Sequence, residues 1–234
     1  MTMKILFRLL LLICLTIPLA ASTDFYDQFQ GGGIAYAPSL VVYGKNEFTF
    51  PGMNIPYDFT GNLYFHGLQG WGDINDRWRI GAALLAGDGE QSESSGGMVK
   101  YASFSQVSGF LFLEFIMPVS YSSQFTLNLS GGVSALSVEY FESTPTRDWL
   151  TLFVGPLTTT RLTARQIPTF MPQISFLYQF SPRAGIRING GALFYIVDTS
   201  QWKVNSRVSI SNANNGELLK VTAPIVQAMV YFGM

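Results

Sequence analysis

From residue 23 onward, apolar residues alternate with small or polar ones, and no stretch approaches the roughly 18 consecutive apolar residues of a helical membrane span. The segment Phe125 to Ala135 is the clearest case. Phe125, Leu127, Leu129, Gly131, Val133 and Ala135 share one face, and Thr126, Asn128, Ser130, Gly132 and Ser134 share the other. A period of two is the strand signature, and a slip of one residue would reverse every assignment, so register here is well specified. Helical membrane spans are excluded. The chain must fold through β-strands.

The pattern recurs in Trp78–Ala86, Leu111–Met117, Ile174–Phe180, Ile186–Ile196 and Val226–Met234, with weaker, Gly-rich versions near Phe29–Ala37 and Phe59–Trp71. That makes eight candidate strands of about 9 to 15 residues, enough to cross a bilayer when tilted. Three links are short (Gly72–Asp76, Pro118–Ser123 and Ser181–Arg183), and four are long (Pro38–Asp58, Asp88–Ser105, Glu139–Thr169 and Asp198–Lys220). Strict alternation of short and long links predicts an all-β, antiparallel, up-and-down transmembrane β-barrel with short periplasmic turns and long extracellular loops. Within the fifth link, Trp149–Val154 and Leu157–Ala164 flank Gly155-Pro156; if both limbs cross, the barrel has ten strands instead of eight.

Composition agrees. Charged residues make up 12% of the chain, against about 25% in a soluble domain. With 14 basic and 15 acidic side chains thinly spread, no patch could neutralise a run of phosphates, which excludes nucleic acid as a partner. Residues 1–22 read as a signal peptide: Lys4 and Arg8, an apolar run from Ile5 to Leu19, then Ala20, Ala21 and Ser22 as the cleavage region. The rest, 23–234, is a single barrel domain. The only cysteine, Cys14, lies in that leader after the non-small Ile13, so neither lipidation nor a disulfide is expected. Trp71, Trp78, Tyr121, Tyr178, Phe180, Tyr231 and Phe232 are expected to girdle the periplasmic end, and Tyr101, Tyr140 and Tyr195 the outer end.

The leader, the alternating segments and the closing Tyr231-Phe232-Gly233-Met234 resemble the small bacterial outer-membrane barrels of the OmpA, OmpX and OmpW kind. The resemblance is architectural and rests on no exclusive motif. It implies residence in the outer membrane of a Gram-negative bacterium after secretion, and insertion by the barrel-insertion machinery. Such families end in an aromatic residue; here Met234 is last, with Phe232 on the same face.

Few residues could carry chemistry. Outer-membrane lipid enzymes pair a His with a Ser. The single histidine, His66, has no Ser two positions on, and by parity with Asn62 and Tyr64 it is expected to face inward at mid-barrel. No catalytic residue, cofactor site or metal site is assigned, since one histidine leaves only carboxylates to complete a metal site. Asp88-Gly89-Glu90 with Glu93 reads as a solvated loop, and Gly31-Gly32-Gly33 as a bend in the wall. The interior set is more specific. Arg79, Glu114 and Arg187 face inward near the periplasmic end, and with Asn128, Gln179 and His66 around them they are expected to form a polar plug.

The leading reading is a structural or surface-interaction protein that works through its long loops, with lipopolysaccharide among its contacts. Arg147, Arg161 and Arg165 supply charge there, and Trp149 and Trp202 supply anchors. The alternative is a narrow channel or hydrophobic-solute conduit, permitted by inward Phe112, Ile116, Leu177, Leu193 and Met229. A lipid-modifying enzyme ranks third.

Overall fold

Each alternating segment becomes a strand in the computed structural model, which describes residues 32–43, 61–95, 98–143, 159–181, 183–198, 201–205, 208–209 and 219–233. In chain order these are β1 (Gly33–Tyr36), β2 (Ser39–Tyr43), β3 (Gly61–Asn75), β4 (Trp78–Ser95), β5 (Met98–Ser120), β6 (Ser123–Ser143), β7 (Thr159–Ser181), β8 (Ala184–Val197), β9 (Trp202–Val204), β10 (Val208–Ser209) and β11 (Leu219–Gly233). Strands β1 and β2 both pair with β3 and β11, so they act as one wall strand broken at Ala37-Pro38. Pro38 has no N–H to offer the ladder. Hydrogen bonds from Ala37 N to Gly67 O (2.8 Å) and from Ala228 N to Pro38 O (3.1 Å) hold the break closed.

From there the chain runs up and down, each strand antiparallel to the last, until β11 returns to β1 and β2. The ring closes with eight wall strands, β1/β2, β3 to β8 and β11. The ten-strand alternative is therefore not adopted; Thr159–Ala164 belongs to β7, and Trp149–Val154 lies outside the described residues. Carrying the registers once around, Gly33–Trp71–Gly81–Phe112–Ser130–Met171–Leu193–Ala223–Tyr43, returns to the first strand ten residues further on (43 minus 33). That stagger tilts the strands by about 35–45° and leaves an interior just wide enough for side chains.

The wall has two chemistries. On β6 and β8 the outward positions are apolar or glycine over eleven residues each, 125–135 and 186–196, matching the roughly 9–11 residues of a tilted membrane strand. Above this band the polarity inverts. The register row His66–Ala86–Val107–Ala135 is the last row of the apolar band on β4 to β6; the next, Tyr64–Asp88–Ser105–Ser137, brings the first outward charge. Beyond it, β4 to β7 continue as two projecting hairpins whose inner face buries Ala102, Phe104, Leu136, Val138, Leu162 and Ile167. The segments expected as loops, Asp88–Ser105 and much of Glu139–Thr169, are thus strand for most of their length.

Two placements differ from the sequence reading. On β3 the inward set is Phe65, Gly67, Gln69 and Trp71, while Tyr64, His66 and Leu68 point outward. His66 is therefore not an interior residue: burying Gln69 and Trp71 fixes the strand's parity, and every second residue follows. Trp71, Tyr195 and Tyr231 also leave the expected girdles. They fill the lumen, with the Trp71 ring tilted at 57° against Tyr231, 5.7 Å between centres. Trp78, Tyr121, Tyr178, Phe180 and Phe232 are exposed on the outside as expected.

Candidate functional site

The lower lumen holds a buried ionic cluster. Strands β5 and β8 carry Glu114 and Arg187 to facing positions, and each side chain is 0% exposed. Arg187 Nη2 donates to Glu114 Oε2, to Ser175 Oγ (2.8 Å) and to Thr126 Oγ1 (3.3 Å), while Nε donates to Asn189 Oδ1 (2.9 Å). Its guanidinium lies 5.8 Å from the centre of the Trp71 ring, a cation–π distance. From β4, Arg79 Nη1 reaches the other carboxylate oxygen of Glu114 at 3.4 Å.

Arg79 has further partners that the sequence did not single out. Its Nε donates to Asp73 Oδ1 at 2.5 Å, and Gln124, with its amide oxygen turned toward the guanidinium, accepts at 2.7 and 3.2 Å. Two cations thus meet two anions, and the charge closes to zero. Burying an ion costs several kcal/mol unless geometry and hydrogen bonds offset it, and this set supplies both. Asn128 joins through Nδ2 to Glu114 Oε2 at 3.5 Å. Gln179 does not join: its Oε1 has no hydrogen-bond partner, and neither has Arg187 Nη1. Asp73 falls in the short link expected at Gly72–Asp76; β3 instead runs on to Asn75 and carries it to the cluster.

A chain of amides carries the network upward. Asn189 and Gln173 both donate to Gln227 Oε1 (3.0 and 2.7 Å), and Gln227 donates to Ser39 Oγ at 2.8 Å. A second polar level joins Tyr43, Gln106, Tyr195, Ser108, Ser134 and Thr169 by bonds of 2.7–3.2 Å. Trp202 of β9, in register with Ala164, is buried in the core cluster at 2% exposure. Trp202 is therefore part of the core and not the surface anchor expected of it.

Outside, the hairpin face is polar. Tyr101 hydrogen-bonds Glu90, which together with burial and the nearby Glu139 and Asp88 pushes its phenol up to about 12. Arg161 donates to Ser137 Oγ at 3.0 Å, and its backbone exchanges hydrogen bonds with Asn205, which takes a positive φ of 49°. Arg165 is exposed beside Gln166 (φ 58°), where the β6–β7 register shifts. Arg147 and Trp149 lie outside the described residues. His66 meets Tyr36 on the outer wall, Nδ1 to hydroxyl at 2.5 Å.

No protein-family model matches the chain, and no curated protein does. Among solved structures, Neisserial surface protein A aligns over 87% of this chain and 97% of its own, at 10% identity and a TM-score of 0.51. The fold is that of a small outer-membrane β-barrel. The barrel is also similar to Ail of Yersinia pestis, in a structure with the heparin analogue sucrose octasulfate (14% identity, 87% and 100% coverage, TM-score 0.43). It is similar as well to the outer membrane protease OmpT of Escherichia coli (10% identity, 92% and 99% coverage, TM-score 0.46).

Proposed function

We propose that the chain is an outer-membrane barrel with an occluded lumen that works through the polar face of its projecting hairpins, after removal of residues 1–22 and insertion by the barrel-insertion machinery. The observation that carries this reading is the division of labour along β4 to β7. These strands are 18 to 23 residues long, about twice what a tilted crossing needs, and the surplus is polar outside and packed inside. A membrane anchor alone would need no such extension.

The Arg79–Glu114–Arg187 cluster, with Asp73 and Asn128, serves as the plug. It supports silence as a channel, because the side chains on the path are engaged with one another. The absence of enzymatic chemistry is part of the same reading. His66 is held by Tyr36 on a wall where its nearest register partner is Ala86, and no serine stands in that row.

Lipopolysaccharide head groups suit the rim: exposed Arg161 and Arg165 offer charge-assisted bonds to phosphate. The test is to replace Arg161 and Arg165 by Ser and measure binding of lipopolysaccharide to the folded barrel, with planar-bilayer conductance in parallel. A loss of binding of several-fold with no conductance is expected. Unchanged binding sinks the rim reading, and steady openings abolished by Glu114→Gln favour the channel.

A further inference from the structure

The outer wall carries a groove of about 660 Å³ within the apolar band. Leu68, Leu84, Leu111 and Val133 form its walls, and Gly109 and Gly131 lie along its floor. The floor glycines are not demanded by the fold. A Cβ at Gly131 meets nothing within 4 Å, and one at Gly109 meets only Leu84 Cδ2, at 3.6 Å. Gly132, next door and inward, is different: its Cβ would fall 1.9 Å from Gly109 O. One glycine is required by the wall, and its neighbour keeps a depression open.

A second observation borders the same groove. Tyr36 pairs in register with Leu68, and its hydroxyl meets His66 Nδ1 two positions up the strand. Both side chains face outward within the apolar band, His66 one row and Tyr36 two rows below the polar Tyr64–Asp88 boundary. One hydrogen bond joins them, so whichever way it runs, one donor is left over: His66 Nε2–H or Tyr36 O–H. An unsatisfied donor facing hydrocarbon is costly, and an ionisable side chain there marks a site by default.

The geometry points to an ester-linked lipid as the occupant, its acyl chain lying in the groove and its carbonyl oxygen accepting the hydrogen bond that the Tyr36–His66 pair has spare. The groove supplies apolar area for a chain. The pair sits just under the head-group boundary, where an acyl chain carries its ester, and a carbonyl is an acceptor with no donor of its own to satisfy. This inference rests on the membrane-embedded reading above.

The test refolds the full barrel into vesicles of diester phosphatidylcholine and of the diether analogue, then counts lipid retained after detergent extraction by native mass spectrometry. Retention of the diester lipid about five- to ten-fold above the diether is expected, the worth of one hydrogen bond. His66→Phe combined with Tyr36→Phe, which keeps both outward rings and removes both donors, should bring the diester down to the diether level. Gly131→Leu, which fills the floor, should lower both. Equal retention of the two lipids, or a Gly131→Leu barrel that keeps its lipid, overturns the inference while leaving the membrane reading standing. A crosslinked dimer lost in Gly131→Leu also overturns it, by making the groove a protein interface. A chain that never enters either vesicle defeats the membrane reading and the inference together.

Discussion

Arg187 donates through Nη2 to Glu114 Oε2 at a depth where neither side chain has any exposure. Removing one partner of such a pair leaves a buried charge unmatched, at a cost of about 3–5 kcal/mol. Glu114→Gln should therefore destabilise the barrel by that order, read as a lower urea midpoint in micelles. Replacing Glu114 and Arg187 together by Met should cost less than Glu114→Gln alone, because Arg79 keeps Asp73 and Gln124.

Adjacent glycines should respond in opposite ways. Gly132→Ala drives a Cβ into the Gly109 carbonyl, and overpacking of that kind costs about 1–3 kcal/mol or more. Gly131→Ala enters open space and should stay within about 0.5 kcal/mol of the parent. The fraction migrating as the compact, unboiled form on SDS gels would separate them; equal losses in both would contradict the assigned faces of β6.

Trp202 makes a third case. Because it is buried in the core at 2% exposure, Trp202→Ala should cost about 3–5 kcal/mol in stability and leave rim binding of the surviving folded fraction unchanged. Calorimetry alongside the lipopolysaccharide binding measurement distinguishes this from a surface anchor, which would show the reverse.

Tyr101 gives a pH dependence. Its phenol is raised from 10 to about 12, first by the hydrogen bond to Glu90. Below pH 10 the folded and unfolded chains both hold the proton, so the contribution is complete. As pH rises from 10 through about 12, the unfolded chain ionises first and the contribution is lost. The tyrosinate absorbance that Tyr101→Phe removes should appear only near pH 12, and in Glu90→Gln it should move back toward 10.

The strands with one apolar and one polar face were legible from the sequence, which is why Arg79, Glu114 and Arg187 were placed inward correctly by alternation alone. On β3 that signal fails. Phe65, Gly67, Gln69 and Trp71 are no more polar than Tyr64, His66 and Leu68, so nothing local says which set faces lipid, and the choice is made by partners on β1, β4 and across the lumen. The hairpins were misread as loops for another reason. Beyond Asp88 the alternation continues with its sign reversed, Phe104 in and Ser105 out, and a search for lipid-facing dyads stops at the first charged outward residue. Asp73 and Trp202 depend on tertiary approach, which no spacing encodes.

The inversion of polarity at the Tyr64–Asp88–Ser105–Ser137 row also makes the barrel its own depth gauge. Eleven residues from Phe125 to Ala135, rising about 3.4 Å each and tilted by roughly 40°, reach about 25 Å along the membrane normal. Sliding outward by one pleat would wet a ring of Leu, Ile and Phe, and sliding inward would drag Asp88 into hydrocarbon. A thicker bilayer must therefore thin around this protein, because the protein cannot move to suit the bilayer.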